Sequence, residues 1–325
     1  MLVDRFDRLI SYLRISVTDR CNFRCVYCMP AEGIAVSPRS ELLSFEEITR
    51  VASVGAELGL RKIRLTGGEP TVRRDLPQLV EMLASIRGIE EVAMTTNAAL
   101  LDELAAPLKD AGMSRLNISL DTLDRDKAAR IARRDEWDRV QRGIEAAQRE
   151  GFGLKFNAVV MRGWNDDELG NLVSFAHSCG APMRFIEWMP MGLTGQTDRN
   201  QTVSWREMLG HLQTRFDLEP EAPTGADPAK MWRCQRTGAR IGFISSMSDH
   251  FCATCNRMRL TAQGELRPCL HQNAEVDVRR LLRGGASDDE LAGAFREAAG
   301  LKWAGHRMND IIPLYSSKDM VSIGG

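Results

Sequence analysis

The sequence contains no apolar run approaching the roughly 20 residues that a helical membrane span needs, which excludes that class of protein. Charge of one sign is also missing. Forty-three Lys and Arg stand against 44 Asp and Glu, a net charge of −1, so no global field draws the chain to nucleic acid or an anionic membrane, and any anion binding has to be local. The opening "MLVDRFDRLI" lacks the apolar core of an export signal, and the cytoplasm is the expected compartment. Cysteine is sparse: eight in 325 residues is too few for a disulfide-built scaffold. Six of the eight nevertheless fall into two triplets, Cys21, Cys25, Cys28 and Cys252, Cys255, Cys269. The other two, Cys179 and Cys234, stand alone and read as small buried hydrophobes.

What the sequence does have is β-α alternation. Six short β-type runs, at 12–18, 62–66, 91–96, 115–120, 154–161 and 182–188, alternate with helical stretches, as in repeated β-α units around a parallel sheet or barrel. Helix starts are marked by Ser44/Glu47, Asn165/Glu168, Ser204/Glu207 and Ser287/Glu290, each at capping-box spacing. Split into faces, the strands are polar on one side. Arg14, Ser16 and Thr18 share a face, as do Lys62, Arg64 and Thr66, then Arg115, Asn117 and Ser119, then Lys155 and Asn157. The opposite faces are apolar, as in Leu13-Ile15-Val17. The third and sixth strands place Met94 and Ile186 in the polar register. A closed eight-stranded barrel fills its interior with branched apolar side chains. Six strands with an arginine-bearing inner face predict instead an α/β fold of the incomplete (β/α)6 TIM type, with a wet or ligand-filled cavity. The runs "RRDL" (73–76) and "RIARRDEW" (130–137) read as solvated charge.

The texture changes over 191–230, and a boundary at 225/226 divides a partial barrel, 1–225, from a smaller segment, 226–325, with the hairpin-like strands "RIGFISS" and "RMRLTAQGELRPC". The first triplet, C-x3-C-x2-C, follows the first strand, on the rim where barrels carry their chemistry. Its neighbourhood "CNFRCVYCMP" offers no fourth soft ligand for structural zinc, and Met29 after Cys28 rules out haem attachment through C-x-x-C-H. Three thiolates on a four-iron cluster leave one iron open, so the spacing predicts an open 4Fe-4S cluster. The second triplet, C-x2-C-x13-C, reads in isolation as a zinc ribbon completed by His250 or His271 ahead of a cluster.

C-x3-C-x2-C after the first strand and "GGEP" (67–70) after the second resemble the radical S-adenosylmethionine superfamily. Within it the chain resembles the GTP 3′,8-cyclase family, from "RISVTDRCNFRCVYCMP" through "KIRLTGGEPTVRRDL", "MTTNA", "LNISLDTLD", "RFIEWMP" and "HFCATCNRMRLTAQGELRPCL" to the closing "GG". Ala98 departs from an expected "TTNG". The resemblance implies two 4Fe-4S clusters, one on each triplet, with S-adenosylmethionine on the first cluster, held by Tyr27, Gly68, Ser119 and Met189. It implies a GTP site lined by Arg14, Arg64, Thr95, Lys155, Arg184, Arg257, Met258 and Arg259, the second cluster contacting the guanine. It implies that Gly324 and Gly325 reach the site and assist the radical step. It also implies an electron donor such as a flavodoxin or ferredoxin and a product passed to cyclic pyranopterin monophosphate synthase, with a homodimer left open. A radical enzyme acting on a peptide is the rival enzymatic reading, but three C-terminal cysteines are too few for two auxiliary clusters. A non-catalytic iron-sulfur or zinc protein is the rival of another class, and it gives "GGEP" and a polar lumen no purpose.

Overall fold

The computed structural model of the chain describes residues 1–189, 201–306 and 320–324. Its elements are β1 (Tyr12–Ser16), α1 (Phe45–Glu57), β2 (Lys62–Thr66), α2 (Leu76–Ala84), β3 (Glu91–Thr96), α3 (Leu101–Asp110), β4 (Arg115–Ser119), α4 (Arg125–Ala132), α5 (Trp137–Arg149), β5 (Gly153–Val160), α6 (Leu169–Ser178) and β6 (Met183–Glu187). There follow α7 (Trp205–Gln213), β7 (Leu218–Pro220), β8 (Lys230–Cys234), β9 (Arg240–Ile244), β10 (Arg257–Leu260), β11 (Glu265–Arg267), β12 (Val276–Asp277), α8 (Val278–Arg283) and α9 (Asp288–Gly300). All twelve strands join one mixed sheet, ordered β12-β11-β10-β1-β2-β3-β4-β5-β6-β9-β8-β7. From β10 to β9 every pairing is parallel. Antiparallel strands finish both edges. The six expected strands are therefore the middle of a longer parallel array. The C-terminal strands do form hairpins, but β10 and β9 also extend the main sheet at either side.

The sheet's outer face carries the apolar set. Leu13, Ile15, Leu65, Leu116, Ile118 and Phe156 are fully buried against the helices. Three of the four expected capping boxes are present, at Ser44, Ser204 and Ser287. The fourth is not. Asn165 instead accepts from Met161 N–H and donates to the carbonyls of Asp121 and Val159, while Glu168 accepts from Thr122 Oγ1 and Leu123 N–H. These buried tertiary partners outcompete the local cap and brace the loops beyond β4 and β5. Met94 is a second correction: it is buried in the outer core, and Thr95 occupies the inner register. A one-residue shift of alternation flips every side chain of a strand, and the small Ala93 left the pattern of β3 ambiguous. Ile186 does face inward. The charge runs are only partly solvated. Arg73 lies over the Phe45 ring and donates to the Leu43 carbonyl at 2.7 Å, and Arg133 donates to the Met29 carbonyl at 3.1 Å.

Candidate active site

Cys21, Cys25 and Cys28 lie in the loop beyond the C-terminal end of β1, and Cys255 sits just before the N-terminal end of β10. Tyr12 of β1 pairs in register with Arg257 of β10. The two triplets are thus at opposite ends of two adjacent parallel strands, and all six cysteines open into one cavity of about 720 Å³. Tyr27, Gly68, Ser119 and Met189 line it, Met189 packing with Leu270 beside Cys269. Arg14, Arg64, Thr95, Lys155, Arg184, Arg257 and Arg259 also line it. Met258 does not: its side chain alternates away from its two arginine neighbours and is fully buried in the outer core. Gly324 is buried beside the cavity, and Gly325 lies outside the described residues.

The "GGEP" glycines are required by the fold itself. A Cβ on Gly67 would stand 2.4 Å from the Thr18 carbonyl oxygen, and one on Gly68 would stand 2.2 Å from that of Arg20. The run docks edge-on against the segment leading into Cys21, with Gly68 N–H on the Thr18 carbonyl and Glu69 N–H on the Arg20 carbonyl, both at 2.8 Å. Glu69, which the sequence did not single out, is buried and pins this turn. Its carboxylate accepts from the hydroxyls of Thr71 and Thr96 at 2.6 and 2.7 Å and from Asn97 N–H at 2.7 Å. Asp121, likewise unforeseen, accepts from the Tyr27 hydroxyl at 2.7 Å and from Val159 N–H at 2.9 Å. Burial raises its carboxyl to about 6.

The thiols themselves differ. Burial, with Glu69 nearby, pushes Cys21 up to about 11, and burial with Asp121 pushes Cys25 well up. Phe23 N–H donates to Cys21 Sγ at 3.3 Å, one backbone donor already turned toward a sulfur. Burial would also raise Cys255, but Arg257 and Lys302 outweigh it and bring this thiol down to about 6. That favours the thiolate, the form that binds metal. No three His, Cys, Asp or Glu side chains among the described residues converge tightly enough to grip a single ion. His250 and His271, the ligands a zinc reading would need, stack instead on His306 at ring-centroid distances of 4.8 and 5.0 Å.

Between the triplets the cavity is basic. Arg64 donates through Nε to the Tyr12 hydroxyl and through Nη1 to Thr95 Oγ1 at 3.5 Å. Arg184 donates to Asn157 Oδ1 at 2.9 Å, and burial together with Arg64 holds its guanidinium down at about 10, Asp227 opposing. Lys155, 3.5 Å from Asp227, is lowered to about 8, first by burial and then by Arg184. Arg259 is fully enclosed and lowered to about 10 by burial and by Arg257. It donates to the carbonyls of Ile323 and Gly324, and Arg14 reaches the Gly324 carbonyl at 3.4 Å. Gly324 has φ +72°, and a Cβ there would lie 2.5 Å from Thr66 Oγ1, so only glycine fits between the ends of β1 and β2. Asn117 adds a buried Oδ1 acceptor with no partner among the described residues. A buried cationic lining suits an anionic ligand.

A parallel β-α sheet with a three-cysteine loop after one strand and a glycine turn after the next defines a radical S-adenosylmethionine enzyme, and the Radical SAM superfamily model matches residues 15–176. A second model, Molybdenum Cofactor Synthesis C, matches residues 181–308. The GTP 3′,8-cyclase of Moorella thermoacetica is 45% identical over 309 residues, 94% of this chain and 95% of that one. That of Petrotoga mobilis is 42% identical over the whole of both chains. Molybdenum cofactor biosynthesis protein moc-5 of Caenorhabditis elegans is 42% identical over 93% of this chain and 51% of its own length. The chain belongs to the GTP 3′,8-cyclase family. Among solved structures, SuiB of Streptococcus suis bound to S-adenosylmethionine superposes with a TM-score of 0.62 at 17% identity, covering 89% of this chain and 68% of that one. At that identity the likeness shows the fold alone. No helix among the described residues is long and apolar enough to cross a membrane.

Proposed function

We infer that the chain converts GTP to 3′,8-cyclo-7,8-dihydro-GTP, the first step of molybdenum cofactor biosynthesis. One observation carries the reading: two cysteine triplets open from opposite ends into a single cavity lined by buried arginines. Cys21, Cys25 and Cys28 would hold one 4Fe-4S cluster, with S-adenosylmethionine beside Tyr27, Gly68, Ser119 and Met189, and Cys252, Cys255 and Cys269 would hold the other. When bound, the first cluster and S-adenosylmethionine would supply the radical chemistry at the ribose. The chain's own residues do the rest by position. Arg14, Arg64, Lys155 and Arg184 hold the triphosphate through charged hydrogen bonds. Arg257 and Arg259, beside the second triplet, orient the guanine so that C8 faces C3′. Gly324 would assist the radical step from the crevice between β1 and β2, with Gly325, outside the described residues, sharing that role. The inner sheet with its two cysteine loops reads as a partial (β/α)6 barrel, completed by the C-terminal strands. A flavodoxin or ferredoxin would supply electrons, and cyclic pyranopterin monophosphate synthase would take the product.

Anaerobic reconstitution with iron and sulfide, followed by iron counting and a GTP turnover assay, tests the reading. Two four-iron clusters and formation of the cyclised nucleotide are expected. Stoichiometric zinc at the second triplet, or S-adenosylmethionine cleavage without any change in GTP, would overturn it.

A further inference from the structure

Two cations outside the expected site converge on the backbone of the second triplet. Arg8 is 8% exposed and fully engaged. Its Nε donates to Asp4 Oδ2 at 2.7 Å, its Nη1 to the carbonyls of Cys252 and Ala304 at 2.7 and 3.0 Å, and its Nη2 to the Trp303 carbonyl at 2.6 Å. Asp4 is itself fixed, accepting from the N–H groups of Phe6 and Arg8. Lys302, 2% exposed, donates through Nζ to the Arg257 carbonyl at 2.8 Å and to the Pro268 carbonyl at 2.7 Å. Arg5 caps the arrangement through the Lys302 carbonyl at 3.3 Å.

We propose that Arg8 and Lys302 are the positioning residues of the second cysteine triplet, a cationic frame that fixes all three of its backbone segments and biases its charge. Three of the contacts land on the triplet's chain: on Cys252 itself, two residues after Cys255, and on the residue before Cys269. The 302–304 segment joins the two cations into one unit. A buried cation tolerates enclosure only when its donors are met, and here three of the acceptors, the carbonyls of Cys252, Arg257 and Pro268, belong to the triplet's own loops. The frame would therefore lose its partners if those loops moved. Three thiolates around a cluster leave net negative charge, which two enclosed cations offset where water does not reach. The first triplet's loop also receives guanidiniums, Arg24 on the Cys21 carbonyl at 2.7 Å and Arg133 on the Met29 carbonyl at 3.1 Å, but there the carboxyls Glu69 and Asp121 act on the thiols with the opposite sign. The frame also explains how a site drawn from residues 252–269 is anchored to the start of the chain.

The proposal rests on the reading that Cys252, Cys255 and Cys269 hold a cluster, and the experiment separates the two. Lys302→Met and Arg8→Met are prepared anaerobically with iron and sulfide beside Cys255→Ser, and iron content, S-adenosylmethionine binding and the midpoint potential of each cluster are measured. Should Arg8→Met be insoluble, Arg8→Lys keeps the charge but reaches fewer carbonyls and is read in the same way. The expected result is loss of up to about half the iron, or a retained second cluster whose potential moves to more negative values, since removing a cation disfavours the added electron. S-adenosylmethionine binding at the first triplet stays intact. Full iron and an unchanged potential in folded variants of both residues would overturn the proposal. Full iron in Cys255→Ser would instead overturn the cluster assignment beneath it.

Discussion

Around Cys21 and Cys25 the neighbouring carboxyls Glu69 and Asp121 add to burial in raising the thiols, with Arg24 only partly offsetting this at Cys21, whereas around Cys255 the cations Arg257 and Lys302 pull the thiol down. The two loops share a three-cysteine pattern and one cavity, yet their surroundings have opposite sign. Anionic surroundings disfavour further negative charge and suit a centre that gives an electron away. Cationic surroundings suit a centre that shares its space with an anionic nucleotide. Under the proposed function, two three-cysteine sets would do different work according to the charged residues packed around them.

The largest expected effect breaks the comparison at the cysteines. Cys25→Ser should abolish deoxyadenosine formation from S-adenosylmethionine, while Cys255→Ser keeps uncoupled cleavage and loses cyclised product. Chromatography of both nucleosides checks it, and equal loss of cleavage in two folded variants would remove the division of labour. Next is the arginine wall. Arg257→Ala should weaken GTP binding about 10- to 150-fold, the loss of one charged hydrogen bond of roughly 1.5–3 kcal/mol, and iron is counted alongside because Arg257 also favours the Cys255 thiolate. Calorimetry on reconstituted protein reads it. Arg259→Ala is a less clean probe, because Arg259 also holds Ile323 and Gly324.

A smaller effect comes from pH. Lys155 titrates at about 8, below the ordinary lysine value, so it is protonated below that pH and neutral above it. Its favourable contact with a triphosphate should fade as pH rises from about 7 to about 9, by at most about tenfold per pH unit. Lys155→Met should flatten that part of the affinity profile. On the first triplet's side, Gly68→Ala should displace the "GGEP" turn from Arg20 and cost about 1–3 kcal/mol of stability by overpacking, seen by thermal melts and as lower iron retention at Cys21. The smallest effect belongs to Ala98, which adopts φ 68°. Ala98→Gly relieves about 1 kcal/mol of left-handed strain but loses a buried methyl and adds chain entropy of similar size. Its melting temperature should barely move.

The parallel β-α core was legible because alternation and capping boxes are local signals, and the six cysteines were legible because their spacing is. Three kinds of feature were not. The pairing of β10 with β1 joins distant parts of the chain and leaves no local mark. The Asn165/Glu168 pair has the spacing of a cap, but buried partners from β4 and β5 claim it. Arg8, Glu69, Asp121 and Lys302 are single charged residues in ordinary contexts, and only the folded chain shows that they are buried struts.

The β1–β10 pairing also bears on how the chain is made. Ser11 and Asn256, bonded at the mouth of this pair, are 245 residues apart. During synthesis one edge of β1 must wait, with unmet backbone donors and acceptors, until nearly the whole chain has left the ribosome. Long-range parallel pairing is slow, and an open strand edge invites association with other chains. Nascent chains stopped before residue 257 should therefore aggregate or engage chaperones, whereas release of a few residues beyond β10 should sharply raise the soluble fraction.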